Sequence, residues 1–347
     1  MEETSKTIKK RPKRIAIITV ALVILAISSI AFWICYQAMK AESHARYMGI
    51  MKSSAQNVSR TIRGVEMNAK NVFEEVAEHL DSAEDVIKAL ESKAYFNLDV
   101  KGYFAAFEPN YFPEKGIWFE PYIYQPDARG FEYRQVGSAR HNYMKSSWYL
   151  KAKATRATFW SDPYYYYDGT SMSGHYCTFV KPLYSEGGKL ICVCGADMTF
   201  EWMEQELEWQ DETSRRNALL NKYHPNTVFD YYTILLDKDG TCVAHPQNKV
   251  VSITDKDIIK DLADKKSGVA NMDIDGVPCT LFYGPIDFVD WTLAIVVPKQ
   301  DILRPMLPIA MVLSLAGVIG FLVVWLALRR IQTTTEDKEV KTDEKVD

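Results

Sequence analysis

The sequence predicts an α+β protein in which antiparallel sheets, built on a long N-terminal helix, lie between two membrane-spanning helices. Two uncharged apolar runs, residues 15–36 and 306–328, enclose nearly all of the polar sequence. A helical apolar pattern follows the first run, and from Tyr95 onward short β-rich runs alternate with Gly, Pro and Asp. This order is typical of a folded body anchored at both ends.

Both apolar runs are predicted to cross a membrane, since about 20 helical residues span roughly 30 Å of hydrocarbon. Basic residues precede the first run, and Arg329 and Arg330 follow the second. The positive-inside rule then places residues 1–14 and 329–347 in the cytoplasm and residues 37–305 outside the inner (plasma) membrane. We interpret the first run as an uncleaved anchor, with a cleaved signal peptide as the alternative. The charged tail 329–347 is predicted to be disordered.

Composition excludes several functional classes. The net charge of −4 leaves no basic face large enough for nucleic acid. No pair of histidines has metal-ligand spacing, and the sequence contains neither a glycine-rich phosphate loop nor a Gly-x-Ser-x-Gly elbow. We therefore predict no enzymatic activity, no cofactor and no metal site.

Five of the six cysteines lie in the predicted external region, so they cannot all pair. Cys192 and Cys194 alternate along one predicted strand and are poorly placed to bond each other, so we interpret them as small buried residues. A bridge between Cys242 and Cys279 stays open.

The segment 37–92 is predicted to form a stalk helix and a second helix. The second begins at Ser82, a capping residue whose partner is Asp85. In the first helix the apolar residues follow 3-4 spacing, which fits packing on its own domain or pairing with a second subunit. The narrow, four-heptad pattern favours a homodimer. The residues concerned are Met48, Met51, Ala55, Val58, Ile62, Val65, Ala69, Val72 and Val76.

Two sets of strands follow, which divide the body into residues 93–225 and 226–305. The first set is predicted at 102–107, 117–124, 176–184 and 190–198, and the second at 231–236, 241–245, 268–274, 279–283 and 292–297. Residues 185–188, Asp239 with Gly240, and Asp275 with Gly276 are predicted turns. Residues 201–221 form a polar, helix-prone link.

Several short motifs in these strands resemble a double Cache sensor domain of bacterial transmembrane signalling proteins. They are Trp148 and Tyr149, Trp160 to Tyr164, Lys181 to Tyr184, Gly187 and Gly188, Gly195 to Asp197, Leu236 to Gly240, His245 and Pro246, Trp291 to Leu293, and Val297 and Pro298. The resemblance implies two PAS-like Cache subdomains, membrane-distal at 93–225 and membrane-proximal at 226–305. It also implies a distal pocket for a small molecule and signalling through the helices.

Asp197 is the leading candidate for ligand contact. Strand alternation places it on the face opposite Cys192 and Cys194, where a carboxylate can accept hydrogen bonds from an ammonium or hydroxyl group; a helix-capping role is the alternative. The candidate walls and lid come from the segment 143–168. They are Tyr143, Trp148, Tyr149, Trp160, Tyr164 to Tyr167, and Asp168.

One position departs from the resemblance. Members that bind amino acids have an arginine two residues before the Trp-Tyr pair, which grips the ligand carboxylate in a bidentate fork. Here that residue is Ser146, and Lys145 and Arg156 are the substitutes in reach. An amine, an amino acid, a carboxylate and a sugar therefore all stay open as ligands.

Three functions are compatible with the sequence. The favoured one is a membrane-anchored sensor without enzymatic activity, working as a homodimer with a separate cytoplasmic signalling protein. The alternatives are the sensory half of a longer kinase or phosphatase, and an envelope interaction platform that binds no small ligand.

Overall fold

The computed structural model describes residues 2–127, 130–167, 173–220, 231–245, 251–303 and 306–343. The chain divides into two compact units, one of Tyr47–Val297 and one of Met1–Arg46 with Pro298–Asp347. The helices within the described residues are α1 (Glu2–Glu78), α2 (Ala83–Ala94), α3 (Ser147–Thr155), α4 (Phe200–Leu220), α5 (Lys256–Ala263), α6 (Lys299–Leu303) and α7 (Met306–Asp343).

The unit Tyr47–Val297 contains two antiparallel sheets. The first has the strand order β3-β2-β1-β7-β6-β4, with β5 also paired to β6. Its strands are β1 (Gly102–Phe107), β2 (Pro121–Asp127), β3 (Gly130–Gln135), β4 (Phe159–Trp160), β5 (Tyr164–Tyr166), β6 (Gly174–Tyr184) and β7 (Leu190–Thr199). The central strand β7 is buried on both faces.

The second sheet has the order β10-β11-β12-β8-β9. Its strands are β8 (Tyr232–Asp237), β9 (Cys242–Ala244), β10 (Gly268–Ile274), β11 (Val277–Pro285) and β12 (Trp291–Pro298). Its core of Ile, Leu and Val includes Ile258 and Leu262 from one face of α5. The predicted α+β class with two PAS-like sheets and a long N-terminal helix is confirmed.

The apolar stripe of α1 packs on its own domain. Except for half-buried Met48, the predicted stripe residues are at most 6% exposed. Phe73 stacks on Phe179 of the first sheet with ring centroids 6.3 Å apart, and Tyr47 packs on Phe282 of the second sheet at 5.3 Å. The expectation that this stripe joins two subunits is therefore wrong. The 3-4 spacing shows that this face of α1 is buried, and the two sheets are the surfaces that bury it.

Local capping and turn chemistry agrees with the sequence. Ser82 caps α2, because its Oγ accepts from the Asp85 amide at 3.2 Å and donates to the Asp85 carboxylate at 2.7 Å. Asp275 and Gly276 have φ of 53° and 78°, which is the left-handed geometry of a two-residue hairpin between β10 and β11. All six cysteines are free; Cys192 Sγ and Cys194 Sγ lie 3.9 Å apart on the helix-covered face.

α1 and α7 each contain an 18-residue stretch with mean hydropathy 2.6 and no buried side chains, so by length and composition both can cross a membrane. α7 continues to Asp343. The tail predicted to be disordered from residue 329 is therefore helical as far as Asp343. Charge prevents the tail from burying a core, but its glutamates and lysines are good helix formers, and a solvated helix needs no core.

Ile62→Ala tests the packing of α1. It should lower the free energy of unfolding by about 2–5 kcal/mol, since a buried isoleucine is truncated in a filled core. Urea unfolding of the detergent-solubilised full chain, followed by tryptophan fluorescence, measures the loss. The exposed neighbour Arg60→Ala is the control and should change stability by less than about 0.5 kcal/mol. A change in subunit number with unaltered stability would instead favour a subunit contact.

Candidate ligand-binding site

A cavity of about 320 Å³ opens on the face of the first sheet that points away from α1. Its volume lies at the lower end of the range for small-molecule sites. Strands β1, β2, β5, β6 and β7 and the start of α3 contribute to it. The lining residues are Phe104, Glu120, Tyr122, Val136, His141, Ser146, Ser147, Trp148, Tyr164, Tyr165, Tyr166, Tyr167, Tyr176 and Asp197.

Strand alternation explains which side chains reach the cavity. Directly opposite residues in antiparallel strands share a face, and Asp197 pairs with Thr178 while Ala196 pairs with Phe179. Phe179 stacks on α1, so Asp197 must point to the opposite face. Gly195 also belongs to the cavity face. A Cβ there would lie 2.1 Å from Phe104 Cζ, so glycine allows the Phe104 ring to lie flat across β7.

Asp197 is held in place by hydroxyl donors. Its Oδ1 accepts a hydrogen bond from Thr178 Oγ1 at 2.6 Å and a longer one from the Tyr164 hydroxyl at 3.4 Å. The Tyr122 hydroxyl also donates to the carboxylate. Burial raises the pKa of Asp197 to about 6, although these three hydrogen bonds oppose the shift. None of the described contacts of this carboxylate is a helix cap.

A second carboxylate, Glu120, lines the same cavity and is 3% exposed. Burial raises its pKa well above the ordinary value, and the charge of Asp197 raises it further. Its Oε2 has no hydrogen-bond partner among the described residues. His141 Nε2 lies 3.5 Å from Oε2, which is within ion-pair distance but longer than a normal N–H···O bond.

Aromatic rings form the rest of the wall. Trp148 stands at the start of α3 with its ring 4.9 Å from that of Phe104. The ring of Tyr164 lies 6.3 Å from that of Tyr176 with an angle of 29° between their planes, and β5 contributes both Tyr164 and Tyr166 to the lining. Such faces attract cations and exclude water.

The structure brings Asp197, Trp148 and Tyr164 together in the cavity but places other predicted site residues elsewhere. Tyr143 and Tyr149 are packed beside it in the core; the Tyr143 hydroxyl donates to Phe107 O and the Tyr149 hydroxyl donates to Glu108 Oε1. Trp160 lies on the helix side, where its Nε1 donates to Glu66 of α1 at 3.0 Å. Asp168 lies outside the described residues.

The position of the expected arginine lies in the cavity wall, whereas the two basic residues that could replace that arginine lie outside it. Ser146 lines the cavity, immediately before α3. Arg156 stacks on the Tyr184 ring at 4.3 Å and donates to Gly188 O at 3.0 Å, so its guanidinium is already bound outside the cavity. Lys145 does not line the cavity either. Among the described lining residues there is no lysine and no arginine.

Sequence reasoning missed Glu120, His141, Tyr122 and Thr178. One signal for Glu120 was available, namely a charged residue inside the aromatic run Trp118 to Tyr124, which was itself predicted to be a strand. In the structure β2 begins only at Pro121, and Glu120 stands at its start. No local pattern marks His141 or Thr178, because β6 pairing and the loop before α3 bring them to the cavity.

A larger cleft of about 940 Å³ lies between the two sheets. Its charged side chains have both signs, and most of them, including Lys151, Asp162, Lys238, Asp239 and Asp290, are exposed. Exposed charges are hydrated and screened, so they contribute little to binding a small ligand. The buried carboxylates make the smaller cavity the better candidate.

Residues 86–205 match a family model described as methyl-accepting chemotaxis protein-like, first PDC sensor domain. The matched segment contains most of α2, the whole first sheet and the described lining of the cavity. This part of the chain is similar to a receptor sensor domain. The comparison with curated proteins finds no match.

Solved structures share the fold at low identity. The periplasmic sensory domain of the Campylobacter jejuni chemoreceptor Tlp1 is 16% identical with a TM-score of 0.60, covering 77% of this chain and 99% of that one. The extracellular domain of mmHK1S-Z3, assigned as a histidine kinase, is 18% identical with a TM-score of 0.58, at 77% and 97% coverage. The ligand-binding domain of Mlp24 with asparagine is 16% identical with a TM-score of 0.52, at 78% and 97% coverage. The chain therefore has the fold of extracytoplasmic sensor domains.

The raised pKa of Asp197 predicts a pH dependence of stability. Its pKa of about 6 in the native state exceeds the ordinary 3.8, so the native state binds the proton more tightly. This contribution to stability is present at low pH and is lost as pH rises from about 4 to about 6. The melting temperature of Asp197→Asn minus that of wild type should therefore increase over that interval and then level off.

Melting curves of the ligand-free protein between pH 4 and pH 8 measure this difference. Asp239→Asn, which removes an exposed carboxylate, is the control and should give a nearly flat difference. A flat curve for Asp197→Asn as well would show that burial does not perturb this carboxyl.

Proposed function

We propose that the chain is a membrane-anchored sensor that binds a small cationic molecule in the first-sheet cavity and signals across the membrane through its helices. Three observations support this: the sensor fold, the two candidate spans, and a cavity containing buried carboxylates. In this proposal residues 37–305 are extracytoplasmic and both termini are cytoplasmic, as the flanking basic residues indicate. Residues 93–225 are the membrane-distal subdomain and residues 226–305 the membrane-proximal one.

The observation that carries the proposal is the charge of the cavity. Asp197 and Glu120 are buried there, and the described lining offers no lysine or arginine to neutralise them. A buried carboxylate is costly unless it is protonated or paired, so an ammonium ligand would relieve that cost. The rings of Trp148, Tyr164 and Tyr176 would surround the same charge with cation–π contacts.

The missing arginine favours an amine over an α-amino acid. A ligand carboxylate placed beside Ser146 would find a hydroxyl instead of a bidentate guanidinium, and it would face the repulsion of Asp197 and Glu120. A free carboxylate ligand is disfavoured for the same reason. A sugar would satisfy the hydroxyl donors but would leave the buried negative charge uncompensated.

The output would pass through α1 and α7 to a cytoplasmic partner, or to a catalytic domain of a longer sensor kinase or phosphatase. A ligand shifts the equilibrium between two conformations of a sensor only if it binds them with different affinities. The tyrosines of β5, which line the cavity, are the segment whose position would differ between the two conformations. A homodimer stays part of the proposal, but the buried stripe of α1 is not its interface.

A second candidate function is an envelope interaction platform. The exposed rings of Tyr165 and Tyr167 favour it, since aromatic residues are enriched at protein interfaces. Against it stands the cavity beneath them, which a platform would be expected to fill with side chains.

A thermal-shift screen decides between these functions. The full chain in detergent micelles is melted with primary amines, amino acids, carboxylates or sugars. Amines should raise the melting temperature most, because among these classes only they carry an ammonium group without a carboxylate. Stabilisation by another class alone would overturn the cationic ligand, and stabilisation by none, with an intact fold, would favour the platform.

Asp197→Asn should weaken binding of a stabilising amine by about 10- to 100-fold, the range for loss of a charge-assisted hydrogen bond. Isothermal titration calorimetry on the full chain measures the change. Asp211→Asn is a matched control. Asp211 is also buried, also has a pKa of about 6 and also accepts from a threonine hydroxyl, that of Thr233 at 2.6 Å, but it lies on α4 outside the cavity.

Equal loss of affinity in Asp197→Asn and Asp211→Asn would show that removing a buried carboxylate weakens binding only by disturbing the fold. Unchanged affinity in Asp197→Asn would remove Asp197 from the site.

A further inference from the structure

Glu120 is the least satisfied polar group of the cavity. Its side chain is 3% exposed, yet Oε2 has no hydrogen-bond partner among the described residues. An acceptor without a hydrogen bond at this depth carries a desolvation cost, and such a group calls for a specific explanation, for example a bound ion. Asp197 contrasts with it, since three hydroxyls already donate to that carboxylate.

The backbone around Glu120 holds it firmly in place. Its carbonyl accepts from the Val136 amide at 3.1 Å, which ties it to the end of β3, and Pro121 follows directly. Gly137 packs against its stem: a Cβ at residue 137 would lie 2.9 Å from Glu120 Cβ and 2.5 Å from Trp118 O. The absence of a side chain at Gly137 therefore leaves room for the Glu120 carboxylate at the cavity wall.

One cationic group neutralises only one of the two cavity carboxylates when both are ionised. Glu120 and Asp197 are both in the lining, the first immediately before β2 and the second on β7, with β1 between these strands. Each carboxylate disfavours ionisation of the other, as the further rise in the pKa of Glu120 caused by Asp197 shows. A single ammonium group at Asp197 would leave Glu120 without a ligand contact. His141, 3.5 Å away and partly exposed, is the competing counterion.

We propose that Glu120 is a second anionic ligand contact and that the cavity selects short aliphatic diamines, with one ammonium group at Asp197 and the other at Glu120. This rests on the proposed function, because it names the ligand class of the same cavity. The volume of about 320 Å³ limits the spacer to a few carbons, and the surrounding rings suit an apolar chain between two charged ends.

The test compares 1,4-diaminobutane with 1-aminobutane, which has the same carbon chain and one ammonium group. Calorimetric titration of the full chain in detergent should give at least about tenfold tighter binding of the diamine, since a second charge-assisted contact forms. Glu120→Gln should remove that preference by weakening the diamine at least tenfold more than it weakens 1-aminobutane. Asp197→Asn should weaken both.

Saturable binding of 1-aminobutane by Glu120→Gln also shows that the variant is folded. If that variant does not fold, Glu120→Asp replaces it. Asp is one methylene shorter, so the best binder in a series from 1,3-diaminopropane to 1,6-diaminohexane should become longer by one carbon. A merely structural role for Glu120 would not move that optimum.

The outcomes separate the two proposals. Equal wild-type affinity for the two amines, with binding unaffected by Glu120→Gln, would overturn the diamine but leave the cationic sensor intact; it would indicate that His141 balances Glu120. Binding of neither amine by the folded protein would overturn both the diamine and the cationic ligand.

Discussion

The packing of one apolar stripe of α1 against both sheets is the constraint on which the rest of the unit Tyr47–Val297 depends. Phe73 stacks on Phe179 of the first sheet, and Tyr47 packs on Phe282 of the second. Polar contacts fix the same helix, since Ser59 Oγ accepts from the Asp287 amide at 3.0 Å. With one face of the first sheet closed by this helix, β7 can place its polar side chain only on the other face, and there the cavity forms.

The cavity contains one buried carboxylate that is poorly satisfied. Buried Asp211, outside the cavity, accepts hydrogen bonds from the amide and the hydroxyl of Thr233. In the cavity Glu120 Oε2 has no described hydrogen-bond partner, and burial raises the pKa of both Glu120 and Asp197. Such local violations are expected where a protein trades stability for binding. A cationic ligand would restore the lost stability, which couples occupancy of the cavity to the conformation around it.

Ligand choice in this arrangement depends on very few positions. Ser146 stands where an arginine would hold a ligand carboxylate, and Arg156 is engaged by Tyr184 and Gly188. If the proposed cationic ligand is correct, the absence of a guanidinium at residue 146 removes the group that would favour a carboxylate ligand. This agrees with the view that function resides in sites carried by a common fold.

The sequence by itself determined features that depend on local geometry. Alternation along β7 separated Asp197 from Cys192 and Cys194, capping chemistry located the start of α2 at Ser82, and Asp275 with Gly276 specified a hairpin. Helical spacing also showed that one face of α1 is buried. The apolar spans were equally readable, because length and hydropathy suffice for them.

Only the tertiary structure decided what the buried faces meet. The 3-4 spacing of α1 is the same whether the partner is a sheet or a second subunit, and the sheets proved to be the partner. Tyr143 and Tyr149 are aromatic residues of the kind that line pockets. Their hydroxyls instead donate to Phe107 and Glu108, which lie 36 and 41 residues away in sequence. Glu120 reached the cavity through the pairing of β2 with β1. Strand order and register join residues distant in sequence, and neither period nor propensity encodes which strands become neighbours.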